Sequence, residues 1–119
     1  MNGIAAYQNN AVMTQSRGQI VVMLYDGAIK FLRCMNQEMQ RGNHEEKARY
    51  MAKALDIIEE LNCSLDMAVG GEIAQNLRRL YLFMAKEVCT ANVRKDSSKI
   101  EHVIRLLTEL NQGWKAIAS

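Results

Sequence analysis

Apolar residues recur along this chain at steps of three and four, the spacing that gathers side chains on one face of a helix. Ile100, Val103, Leu107, Leu110, Trp114 and Ile117 keep steps of 3, 4, 3, 4 and 3, which is a bundle seam. A second such row is Ile73, Leu77, Leu80, Met84, Val88 and Ala91, and a third is Met51, Ala54, Ile58, Leu61 and Leu65. The stretch containing Ile20, Val21, Met23, Leu24, Ala28, Phe31, Leu32 and Met35 carries a stripe wider than one seam requires, so that helix meets two neighbours.

Helix boundaries follow from the polar and glycine positions between these rows. Ser16, with Gln19 three residues on, reads as a capping box and starts a first helix that runs to about Arg41, where Gly42 supplies a left-handed residue. Asn43 caps a second helix, with Glu45 and Glu46 set against the positive end of its dipole, and the helix reaches roughly Met67. Gly70-Gly71 breaks the chain before a third helix from about Glu72 to Val93. Asp96-Ser97-Ser98 caps a fourth that continues to about Ile117. Short connections make sequential helices antiparallel neighbours. The expected fold is therefore all-α, an up-down-up-down four-helix bundle over residues 16–119, with the segment 1–15 outside the periodic pattern and packing on it.

Composition narrows the function more than the fold. Fifteen basic and 13 acidic residues in 119 leave a net charge of only +2, so neither nucleic acid nor anionic lipid is attracted by the chain as a whole. The pairs Arg78-Arg79 and Arg94-Lys95 are offset by Glu72, Glu87 and Asp96 and have no interleaved aromatics, which marks a solvated face rather than a nucleic-acid site. No leader-like N-terminus and no run of about 18 apolar residues is present, so the chain is expected in the cytosol without membrane insertion. Cys34, Cys63 and Cys89 are odd in number and lack C-x-x-C spacing. They read as reduced thiols in the core.

The bundle offers little for catalysis. A di-iron carboxylate site needs inward Glu-x-x-His pairs, whereas the residues three before His44 and His102 are Arg41 and Lys99. Neither histidine has an evident nucleophile, Gly70-Gly71-Glu72 lacks the lysine and strand of a phosphate loop, and no metal or cofactor is expected. Both histidines read as surface residues. Eight methionines, by contrast, exceed what a small core needs, and their adaptable side chains suit recognition of another protein's apolar segment.

Several pieces of the chain, in order, resemble the FliS family of flagellin export chaperones. They are Ala6-Tyr7-Gln8; Ser16 to Leu32 with Met23-Leu24-Tyr25-Asp26-Gly27-Ala28; Lys53-Ala54-Leu55-Asp56-Ile57-Ile58; Gly71-Glu72-Ile73-Ala74 with Asn76-Leu77 and Leu80-Tyr81; Ala91-Asn92-Val93-Arg94-Lys95-Asp96; and Trp114-Lys115. The chain departs from the family pattern at Ser16-Arg17-Gly18, where Ser-Pro is usual.

The resemblance implies a cytosolic chaperone, not an enzyme, that binds the disordered C-terminal segment of flagellin, prevents early polymerisation and assists delivery to the flagellar type III export apparatus. Its implied partners are that segment and the export gate protein, with a co-chaperone as a further candidate; monomer and homodimer both stay open. Another helical secretion chaperone or adaptor is the nearest alternative, and a metal-binding bundle enzyme a more distant one. Leu24, Tyr25, Leu77, Leu80, Tyr81 and Asn92 are the candidate flagellin contacts. Tyr25 and Tyr81 are favoured because a phenol can bury its ring and keep its hydroxyl at a polar rim. Leu77 and Leu80 also fall on the seam. Ile4 and Tyr7 would cover the flagellin surface when flagellin is absent.

Overall fold

The computed structural model describes residues 10–118, with side chains from Arg17 to Ala118. Four helices fill it: α1 (Asn10–Arg41), α2 (His44–Cys63), α3 (Gly71–Arg94) and α4 (Ser97–Ala118). No strand occurs among the described residues. Each helix packs on its neighbours in the ring α1-α2-α3-α4, and α1 and α3 face each other along a diagonal. The chain alternates direction, so the topology is up-down-up-down. No described helix is long and apolar enough to cross a membrane.

The caps explain most boundaries. Gly42 takes the left-handed conformation after α1 at φ 74°. Asn43 accepts the Glu46 N–H at 3.4 Å to open α2. Asp96 Oδ1 accepts the Ser98 N–H at 3.0 Å at the start of α4, and the Ser98 hydroxyl, donating to the same carboxyl, holds it below its ordinary pKa. Lys95 ends α3 in the left-handed region, its N–H bonded to the Ala91 carbonyl.

Two boundaries differ from the sequence expectation. Helix α1 begins at Asn10, so Ser16 lies inside it and is not a cap. Helix α2 stops at Cys63, four residues before Met67. The Ser64 hydroxyl bonds back to the Leu61 carbonyl at 2.8 Å, and Asp66 Oδ1 accepts the Ala68 and Val69 N–H groups at 3.1 and 3.0 Å. Those short-range bonds offer the backbone an alternative to the helical ladder.

The core runs the length of the bundle. It includes Ala28, Leu32 and Met35 of α1, Ala54, Ile58 and Leu61 of α2, Met84, Val88 and Ala91 of α3, and Ile100, Val103 and Leu107 of α4. At the end of α4 the seam departs from expectation: Asn111 is buried, Leu110 and Trp114 are half-buried, and Ile117 is exposed. A helical period of 3.6 drifts off a 3-4 repeat, and the buried row continues 100, 103, 107, 111. The same drift in α3 buries Ala74 and Tyr81 and leaves Ile73 72% exposed. The cysteines are free, but only Cys34 is half-buried, while Cys63 and Cys89 are exposed. Cys34 and Cys89 sit one position off the buried Met35 and Val88, and Cys63 two positions past the buried Leu61, so all three lie outside the core rows.

Ties between helices are uneven. Asn111 Nδ2 donates to Asp26 Oδ1 at 2.8 Å and the Ser97 hydroxyl donates to Asn36 at 2.7 Å, joining α4 to α1. Glu87 of α3 meets Lys99 and His102 of α4 at 3.4 and 3.5 Å. Phe31 stacks on Tyr50 between α1 and α2. Between α2 and α3 no side-chain hydrogen bond, ion pair or ring stack occurs among the described residues.

Candidate functional site

The poorly tied seam between α2 and α3 also holds unfilled space lined by apolar side chains. At its upper end, beside the 64–70 turn, lies an apolar pocket of about 310 Å3 whose walls include Val21 of α1, Leu61 and Leu65, Val69, Leu77 and Trp114 of α4. Along the outside of the seam lies a second groove of about 290 Å3, between Leu55, Ile58 and Asn62 on α2 and Leu82, Ala85 and Cys89 on α3. Tyr81 borders both.

The upper pocket owes its shape to the α2–α3 turn. The Gly70 N–H bonds to the Asp66 carbonyl at 2.8 Å. A Cβ on Gly70 would stand 2.6 Å from the Ala74 Cβ and 2.8 Å from the Asp66 carbonyl oxygen, so only glycine allows the turn to close this tightly. Gly71 follows at φ 54°, a left-handed backbone that starts α3 and faces open space. Val69 and Ile73 stand at the pocket mouth, 84% and 72% exposed.

Behind the pocket is a polar contact across the bundle diagonal. The Tyr25 and Tyr81 hydroxyls lie 2.6 Å apart, each able to donate to the other, with the rings edge-on at 6.4 Å. Trp114 packs 6.3 Å from the Tyr25 ring, its indole N–H buried beside the phenol. Burial raises the pKa of both phenols, strongly for Tyr81, where the bond to Tyr25 adds to the effect. Both are therefore neutral at physiological pH.

The expected contact residues are distributed as follows. Tyr25 and Tyr81 are 0% and 3% exposed, and they form the centre of the bundle rather than a rim. Each phenol satisfies the other, which removes the need for a partner at the surface. Tyr81 and Leu77 still wall the pocket, so the structure brings those two together there. Leu24 and Leu80 are half-buried against the core, and neither lines either opening. Asn92 is half-buried near the far end of α3 with its Oδ1 unpartnered. Ile4 and Tyr7 lie outside the described residues.

Of the residues that line the two openings, the sequence reading took Val21, Leu61, Leu65 and Ile73 as packing positions and did not single out Val69 or Leu82. The signal available was the Ser64…Asp66…Gly70 spacing of a tight turn, which ends α2 early and opens its last apolar residues to the pocket.

Candidate chemistry elsewhere is sparse. Among the described residues no group of three or more His, Cys, Asp and Glu side chains is placed to hold a metal ion. His44 is exposed at the start of α2, and His102 rests edge-on against Phe83 beside Glu87.

The model of the flagellar protein FliS family matches residues 1–119. The flagellar secretion chaperone FliS of Salmonella typhimurium is 38% identical, over 98% of this chain and 90% of that protein. Its counterpart in Vibrio cholerae is 38% identical over 96% and 87%, and that of Bacillus subtilis 32% identical over 96% and 84%. Matched by that family model over residues 1–119, with relatives alike over nearly their whole length, this chain belongs to the FliS family of flagellar secretion chaperones.

Proposed function

We propose that this chain binds the C-terminal segment of flagellin in the cytosol along the α2–α3 seam, keeps it from polymerising, and presents it to the flagellar type III export apparatus. The observation that carries the reading is the seam itself. It has two adjoining openings, apolar walls and no polar tie between its helices, so an incoming segment displaces nothing that is already bonded. A disordered segment that folds there gains apolar burial of about 25 cal/mol per Å2 and offsets its ordering cost from that area. Asp56, Glu59 and Glu60 border the outer groove and a shallow hollow beside it, favouring a segment with basic or neutral flanks.

Calorimetry with a recombinant flagellin C-terminal segment tests the assignment. Ile73→Glu and Leu82→Glu alter side chains 72% and 54% exposed, so helical content should persist while each weakens binding by about 1–3 kcal/mol. Undiminished binding by the folded double variant would place the flagellin surface elsewhere.

A further inference from the structure

The two walls of the α2–α3 seam carry opposite charge. Asp56 and Glu59 of α2 border the outer groove. On α3 the sign changes: Arg78 and Lys86 lie one helical turn before and after Leu82, which lines the same groove. The walls act on each other at the upper end. The thiol of Cys63, the last residue of α2, donates to Glu59 at 3.3 Å, and that bond holds it above its ordinary pKa while the charge of Arg78 works in the opposite sense. Yet none of Asp56, Glu59, Arg78 and Lys86 forms an ion pair among the described residues. Acid and base face each other across the seam and do not close it.

The apolar floor between these walls runs on toward the lower end of the bundle. Leu82, Ala85, Cys89 and Val93 keep steps of 3, 4 and 4 along α3, with Leu82 and Val93 both exposed. Ala48, Ala52 and Leu55 keep steps of 4 and 3 along α2. An extended segment buried on this floor would leave its backbone N–H and C=O groups unpaired, because the helices on either side have no free backbone edge to offer. A helix bonds its own backbone and needs only apolar contact beneath it and matching charge at its flanks.

Charge on the walls then decides which way such a helix lies. Turning it end for end on its apolar face exchanges its two flanks, so a helix with unlike flanks meets opposite charge in one direction and like charge in the other. We infer that the α2–α3 seam fixes the direction of its occupant, seating an amphipathic helix with its basic flank on Asp56 and Glu59 and its acidic flank on Arg78 and Lys86. The inference rests on the assignment of this seam to flagellin, and it adds the charge pattern and polarity of the bound segment.

The test measures energy transfer from Trp114, the sole tryptophan and a wall of the upper opening, to a dansyl group on a bound synthetic peptide. The peptide lacks tryptophan and has a leucine face, lysines on one flank and glutamates on the other, with the dansyl at either its N- or its C-terminus. With a length of about 18 residues the helix spans ~27 Å, so transfer to one end label should exceed transfer to the other by at least about twofold. A peptide with its flanks exchanged should reverse that order. The four-site variant Asp56→Lys, Glu59→Lys, Arg78→Glu, Lys86→Glu exchanges the walls at exposed positions, and it should bind the first peptide with unchanged affinity and reversed order. Asp56→Lys with Glu59→Lys alone makes both walls basic and should weaken that peptide about fivefold. Equal transfer to both end labels, or an order unchanged in the four-site variant, overturns the inference. Binding of the flagellin C-terminal segment without binding of the peptide overturns it too and leaves the seam assignment standing. If the Ile73→Glu, Leu82→Glu double variant binds both as well as the parent does, inference and assignment fall together.

Discussion

Removing the hydroxyls of Tyr25 and Tyr81, singly and together, tests what holds the centre of the bundle. Each single change to phenylalanine leaves the opposite hydroxyl buried without its partner at 2.6 Å, a loss of about 1–3 kcal/mol. The double change leaves neither hydroxyl, so it should cost less than the sum of the two singles by about 1–2 kcal/mol. The stability of each variant is read from urea unfolding followed by far-UV circular dichroism and by Trp114 fluorescence. Trp114 is the sole tryptophan and sits 6.3 Å from Tyr25, so its signal reports on the same site.

The alkaline limb supplies a second readout. Burial raises both phenols above their ordinary value of 10.0 in the folded state. Below pH 10 both tyrosines are protonated whether folded or unfolded, and their contribution is fully present. Above it the unfolded chain releases protons that the folded chain keeps. Stability then falls with rising pH by up to about 1.4 kcal/mol per unit for each tyrosine. The double phenylalanine variant should lack that part of the slope. Strictly additive single costs, together with an alkaline slope unchanged in the double variant, would refute the claim that the hydroxyls hold each other.

Gly70→Ala forces a Cβ against Ala74 and the Asp66 carbonyl, so it should cost about 1–3 kcal/mol in urea unfolding and distort the upper pocket enough to weaken flagellin binding. Gly71→Ala meets no neighbour but must adopt φ 54°, so it should cost only about 1 kcal/mol and leave affinity near that of the parent. If Ile4 and Tyr7 cover the flagellin surface, deleting residues 1–9, which precede α1, should raise apolar-dye binding by the free protein with helical content retained; unchanged dye binding counts against the cover. Flagellin association should show a negative heat-capacity change and only weak dependence on salt, and a steep salt dependence would point to charge rather than apolar burial.

Helix number, order and most ends were legible in the sequence because their causes are local. The Asn43 and Asp96 caps, the left-handed Gly42 and the row Leu77, Met84, Val88 and Ala91 each depend on residues within a few positions of one another. The stop of α2 at Cys63 was local as well, but it required weighing Ser64 and Asp66 against the apolar Leu65, and periodicity alone favoured the longer helix. What only the tertiary structure decided were the contacts between distant positions. Tyr25 and Tyr81 are 56 residues apart and Asp26 and Asn111 are 85 apart, and in each case a polar group is buried because its partner arrives from another helix. A tyrosine read alone looks like a rim residue, since the pattern cannot show that its hydroxyl is already satisfied. The open α2–α3 seam was hidden for the same reason. A helix sequence records which face is apolar, whereas the distance to the neighbour that leaves the face unfilled is set by how all four helices pack at once.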